Sequence, residues 1–128
     1  MTTKKIKILI VEDDIFMMKL YSKVFELEGF EVVTAVNGEE GLLSVYKEIP
    51  TIILLDVMMP EMNGIELLGK IKADPTTKKI PVIMLTNLAG KTEADTAIAK
   101  GAMKYIVKSE NDPKQVVEIV KEAIAAAK

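Results

Sequence analysis

Ile52-Ile53-Leu54-Leu55 runs directly into Asp56. Four aliphatic residues in succession, closed by a carboxylate, read as a strand buried on both faces of a parallel sheet. The same construction recurs three times along the chain. Ile8-Leu9-Ile10-Val11 ends in Glu12-Asp13-Asp14, Val82-Ile83-Met84-Leu85 ends in Thr86, and Tyr105-Ile106-Val107 ends in Lys108. In open α/β sheets the ligand site lies beyond the carboxyl ends of the strands. Three acids, a further carboxylate, a hydroxyl and an ammonium should therefore converge on one sheet edge. Such a group suits a divalent metal and a phosphoryl group.

Helix-like segments alternate with these strands. The first strand spans about residues 6–11, and Asp14 is placed to cap a helix with an apolar stripe of Met17, Leu20, Tyr21, Val24 and Leu27. Gly29 is placed to end it. A second strand covers about residues 32–36, and Asn37-Gly38 turns into a helix carrying Leu42, Val45 and Tyr46, closed by Ile49-Pro50. After the strand at 52–55, the loop 56–64 turns at Asn63-Gly64 into a helix with Ile65, Leu68 and Ile71, which stops before Asp74-Pro75. The strand at 82–85 precedes a helix for which Thr92 and Asp95 resemble a capping box, ended by Gly101. The fifth strand is about 104–107. Asp112-Pro113 then opens a last helix through Val116, Val117, Val120 and Ile124 to the C-terminus. Five strand-helix units predict an α/β, doubly wound five-stranded parallel sheet. Right-handed crossovers favour the flavodoxin-like order 2-1-3-4-5, with its switch point beside strands one and three.

The chain has 128 residues, 49% of them hydrophobic, which suits one domain over residues 1–128 with no output domain beside it. A net charge of -2 gives no general attraction to nucleic acid or anionic lipid. No apolar stretch is long enough to span a bilayer. The short polar lead Met1-Thr2-Thr3-Lys4-Lys5 is followed by a strand-length run, unlike a signal peptide, and a cytoplasmic location is the expectation. The absence of Cys excludes disulfides and thiolate metal sites. The absence of His removes the commonest base near neutral pH. Any chemistry must rest on carboxylates, lysine, hydroxyls or a hard metal.

Asp56 follows four buried aliphatics and should sit in partly dry surroundings. Crowding it against Glu12 and Asp13 costs free energy unless a cation neutralises the cluster. Mg²⁺ fits best, as a hard cation that takes oxygen ligands and keeps room for water and phosphate oxygens. Met58 could add its backbone carbonyl, while its side chain and those of Met59 and Met62 read as apolar filling. Thr86 can donate to a phosphoryl oxygen, and Lys108 can neutralise another or pair with Asp56 at rest.

The segments I-L-I-V-E-D-D, L-L-D-V-M-M-P-E-M-N-G, M-L-T-N and Y-I-V-K, in this order and spacing, resemble the receiver domain of bacterial two-component response regulators. The single-domain chemotaxis type is the nearest in size, and the resemblance covers essentially the whole chain. It implies that Asp56 is the phosphoacceptor, taking phosphorus from a phosphohistidine on a sensor histidine kinase or phosphotransfer protein. It also implies that Glu12, Asp13, Asp56 and the Met58 carbonyl hold Mg²⁺. Thr86 and Lys108 would bind the phosphoryl oxygens. Such transfer works by positioning and charge neutralisation, and a chain without His can perform it. The protein would modify only itself and would not be an enzyme toward other molecules.

The resemblance further implies that Thr86 moves toward the phosphoryl group and Tyr105 turns inward. The helix 4–strand 5–helix 5 face would then present a downstream protein target with a changed surface. An unswitched Tyr105 would be half-buried, with its hydroxyl in water. Three positions depart from the family pattern. Ser109 stands where proline after a cis bond is usual; a cis bond before serine costs about 3 kcal/mol instead of about 1 or less, so the alternatives are a strained cis bond and a trans loop. Asn87 stands where a small residue is usual and would crowd the phosphoryl group. Met58 and Leu88 are both apolar at positions that tune water access, and are expected to slow hydrolysis of the acyl phosphate. Two rival enzymes or carriers fit less well. A haloacid-dehalogenase-like phosphatase needs an Asp where Met58 stands, and a flavin site would be repelled by Glu12-Asp13-Asp14. The remaining alternative is a non-phosphorylated pseudo-receiver acting as a protein-protein adaptor.

Overall fold

A computed structural model of the chain describes residues 5–88 and 90–127. The polar lead at 1–4 and the terminal residue 128 lie outside the described residues. The strands are β1 Lys7–Val11, β2 Glu31–Ala35, β3 Ile52–Leu55, β4 Val82–Thr86 and β5 Lys104–Val107. The helices are α1 Ile15–Leu27, α2 Gly38–Glu48, α3 Gly64–Ala73, α4 Lys91–Ala99 and α5 Pro113–Ala126, with a 3₁₀ turn at Lys108–Glu110. The strands form one parallel sheet in the order β2-β1-β3-β4-β5, as expected from the crossover rules.

Side chains alternate across the pleat, so each buried strand feeds two cores. Leu9, Val11, Ile53, Leu55, Val82 and Met84 face one layer, packed with Val45, Leu67, Leu68, Ile71 and Ala97 from α2, α3 and α4. Ile8, Ile10, Ile52, Leu54, Ile83 and Leu85 face the other, packed with Tyr21 and Phe25 of α1 and Val116, Val117 and Val120 of α5. Both faces of β1, β3 and β4 are therefore dry, which explains their unbroken aliphatic runs.

The helix ends follow local chemistry. Asp14 caps α1 by accepting from the Phe16 and Met17 amides at 2.9 and 3.2 Å. Asn37 and Asn63 cap α2 and α3 in the same way, through the Glu40 and Glu66 amides. Asp112 and Gln115 form a reciprocal capping box, with Pro113 opening α5. Gly29 and Gly101 take the left-handed backbone, with φ of 92° and 111°, that ends α1 and α4.

Several local expectations are corrected. Leu27 is 77% exposed and Leu20 38%. The α1 stripe turns on Tyr21 and Phe25 instead, because Leu27 lies about 240° round the helix from Tyr21. Phe25 meets Phe30 edge-to-face with ring centroids 5.1 Å apart. Tyr46 is also largely exposed and hydrogen-bonds the Asp74 carboxylate. The expected capping box of Thr92 and Asp95 does not form. Helix α4 starts two residues earlier with Gly90 at its cap, so Thr92 falls inside the first turn and Asp95 pairs with Lys91 at 3.0 Å. In the loop before α3, the left-handed residue is Glu61 (φ 67°), while Asn63-Gly64 begins the helix.

Candidate functional site

The sheet ladder runs one residue past β1 and β3. The Glu12 amide donates to the Ala35 carbonyl at 3.0 Å, and the Asp56 amide to the Val11 carbonyl at 3.1 Å. Both acids are thus held by extended backbone rather than carried on a free loop. Carboxylate oxygens of Glu12, Asp13 and Asp56 all lie within 4.8 Å of one another. Glu12 and Asp56 are buried, at 4% and 8% exposure, and Asp13 is open to solvent.

Lys108 enters this cluster from the end of β5. Its ammonium hydrogen-bonds Glu12 Oε1 and stands 3.6 Å from Asp56 Oδ2. The other Glu12 oxygen accepts from the Asp14 amide at 3.1 Å. Burial raises the Glu12 pKa; the Lys108 hydrogen bond opposes that shift and the Asp56 charge adds to it. Burial also works against the charge on Lys108. The Glu12 hydrogen bond and the Asp56 and Glu12 charges outweigh it, so the lysine is held above its ordinary value. One ammonium meets two of the three carboxylates, Glu12 and Asp56. All the donors are hard oxygens, two of them on buried groups, and this set fits a hard divalent cation.

Among the described residues no peptide bond is cis, so Lys108-Ser109 belongs to the trans alternative. The 3₁₀ turn carries the lysine, and Asn111 Nδ2 braces it by donating to the Val107 carbonyl at 3.2 Å. Asn87 is exposed and lines a groove with Met17, Lys108 and Ser109.

Thr86, at the end of β4, is fully buried. Its hydroxyl oxygen accepts from the Leu88 amide at 3.2 Å. The Tyr105 hydroxyl donates to the carbonyl of that same Leu88 at 2.6 Å. The expectation of a Tyr105 hydroxyl in water is therefore corrected: Leu88 offers a carbonyl within reach, and a half-buried phenol takes it.

Sequence reasoning missed two backbone participants. The Met58 amide donates to Asp56 Oδ1 at 3.2 Å, fixing one carboxylate oxygen. Gly64 packs so closely that a Cβ there would lie 2.0 Å from the Asp56 carbonyl oxygen. A glycine eight residues after the candidate acid was the available signal, but its reason is tertiary. Met58, Met59, Pro60 and Leu88 line the mouth beside Asp13.

Comparison with known proteins agrees with this arrangement. The family model of the response regulator receiver domain matches residues 8–121. The phosphate regulon transcriptional regulatory protein PhoB of Rhizobium meliloti is 35% identical over 113 residues, which is 88% of this chain and 50% of that protein. The chain thus spans about half the length of this curated relative. A CheY-like response regulator receiver domain protein from Methanospirillum hungatei superposes with a TM-score of 0.89 at 32% identity, covering 97% of each chain. CheY in the CheX-CheY-BeF3-Mg+2 complex from Borrelia burgdorferi gives 0.85 at 32% identity, covering 92% of this chain and 88% of that one. No helix among the described residues is long and apolar enough to cross a membrane.

Proposed function

The chain belongs to the response regulator receiver domain family of two-component signalling, and on that premise we propose that Asp56 accepts a phosphoryl group from a partner histidine kinase or phosphotransfer protein. The observation that carries this reading is the buried Asp56 carboxylate, set among Glu12, Asp13 and Lys108 at the ends of three strands. An Asp56 oxygen attacks phosphorus in line as the donor's P–N bond breaks, and the departing imidazole takes up a proton. The product is an acyl phosphate on Asp56.

Glu12, Asp13 and Asp56, with the Met58 carbonyl, would hold Mg²⁺. That ion supplies positive charge to the acids and to the phosphoryl oxygens. The Met58 amide orients Asp56 through Oδ1. Lys108, already 3.6 Å from Asp56, exchanges part of its contact with the acids for a phosphoryl oxygen. The Thr86 hydroxyl turns from the Leu88 amide to another phosphoryl oxygen. Leu88 also holds Tyr105, so release at its amide loosens the carbonyl end of the same residue and the rotamer of the tyrosine. A downstream protein reads the resulting change across α4, β5 and α5. The chain acts on its own aspartate alone. The CheY protein in the complex with BeF3 and Mg²⁺ supports the choice of probe.

The test is incubation with Mg²⁺ and acetyl phosphate, read by intact mass. Wild type should gain one phosphoryl group, and Asp56→Asn none. A wild type that stays unmodified, and shows no spectral change with beryllium fluoride, would replace this reading with the adaptor.

A further inference from the structure

The chain has eight methionines and no cysteine. Thioethers are therefore its softest nucleophiles, with no thiol to intercept an oxidant first. Their exposure differs sharply. Met59 and Met84 are buried, and Met17, Met18, Met62 and Met103 are half-buried. Met58 is 60% exposed, the one exposed methionine among the described residues.

Its position is unusual as well. The Met58 amide is tied to Asp56 Oδ1 at 3.2 Å, so the backbone cannot carry the side chain far from the pocket. The thioether shares the mouth with Leu88, Pro60 and the open carboxylate of Asp13. Asp56, two residues back along the chain, is buried, at 8% exposure. A polar atom introduced here changes what water meets on its way in.

We infer that Met58 is an oxidation site through which a hydroperoxide controls how long a phosphoryl group stays on Asp56. The sulfur lone pair attacks one peroxide oxygen. The O–O bond breaks as the S–O bond forms. The departing oxygen leaves as water, or as an alcohol from an organic peroxide, taking up the proton of the transferred oxygen. Sulfur loses two electrons and the peroxide gains them. The product sulfoxide is polar and a strong hydrogen-bond acceptor, so a flexible apolar cover becomes an anchor for water beside the acyl phosphate. The oxidation itself is independent of the proposed function; its effect on lifetime rests on Asp56 being the phosphoacceptor.

The experiment uses hydrogen peroxide on the whole chain, followed by peptide mass mapping. The same samples are then loaded with Mg²⁺ and acetyl phosphate, and loss of the acyl phosphate is timed. Oxygen uptake is expected at Met58 before any other methionine of residues 5–127. Oxidised wild type should lose its phosphoryl group roughly two- to tenfold faster, the effect of one added hydrogen bond at the barrier. Met58→Leu should decay at one rate with or without peroxide, and unoxidised Met58→Gln should match oxidised wild type. Earlier uptake at another methionine of residues 5–127 overturns the inference, as do equal lifetimes for oxidised and untreated wild type. An untreated wild type that takes up no phosphoryl group sinks the Asp56 reading and the lifetime effect with it, while the mapping still decides whether Met58 is the modified residue.

Discussion

The two sides of the strand ends are built from different forces. On the register of Ile10, Leu54 and Ile106, the side packed against α1 and α5, stand Glu12, Asp56 and Lys108. These are ionisable groups, mostly buried, and each needs the others. On the register of Met84, the side packed against α4, stands Thr86, with Tyr105 beside it. These are neutral groups, joined through the two ends of a single peptide residue, Leu88. The charged side cannot be rearranged without a replacement charge. The neutral side exchanges one hydrogen bond for another at little cost. A ligand that brings charge to the first side can therefore shift the second, while the reverse push is weak.

Removing the charge but keeping the volume, as Lys108→Met, should break the charged side most severely. Two buried acids are left facing each other, and stability should fall by about 3–5 kcal/mol in urea titration without metal. Added Mg²⁺ should restore part of that loss. A variant as stable as wild type would show that Lys108 does not balance the acids. Gly64→Ala comes next, at about 1–3 kcal/mol, because its Cβ meets the Asp56 backbone rather than a movable side chain. Urea titration measures the loss, and phosphorylation by acetyl phosphate should slow alongside it.

The neutral side should respond more gently. Thr86→Ala removes the acceptor for the Leu88 amide, a loss of about 1 kcal/mol. Hydrogen exchange should quicken at that amide while the Glu12 and Asp56 amides keep their protection. Unchanged exchange at Leu88 would separate Thr86 from Tyr105 and end the relay. Tyr105→Phe is the smallest change, under about 1 kcal/mol. Uptake of the phosphoryl group should proceed at the wild-type rate, and only the contrast between free and phosphorylated forms across α4 and β5 should shrink, as followed by amide chemical shifts.

Much of this was legible along the chain. Unbroken aliphatic runs identified β1, β3 and β4 because a strand covered on both faces has no polar positions to spare. Asp14, Asn37 and Asp112 marked helix starts because a capping side chain must sit beside the amides it accepts from. The α4 start differs from the pattern because Thr92 and Asp95 match a capping box two residues late, and Gly90 leaves no side-chain mark of its own. Leu27 was misplaced because apolar content alone does not say which way a helix face turns.

The sequence by itself determined which chemical groups stand at the strand ends, since strand length and the polar residue that follows are both local properties. Tertiary structure alone decided who meets whom. Lys108 reaches Glu12 across 96 positions because parallel crossovers bring β5 and β1 to the same sheet edge. Leu88 joins Thr86 to Tyr105 through its amide and carbonyl, groups that every non-proline residue carries and no residue type announces. Gly64 is required by the nearness of another segment's backbone, a distance that exists only once β3 and α3 have packed.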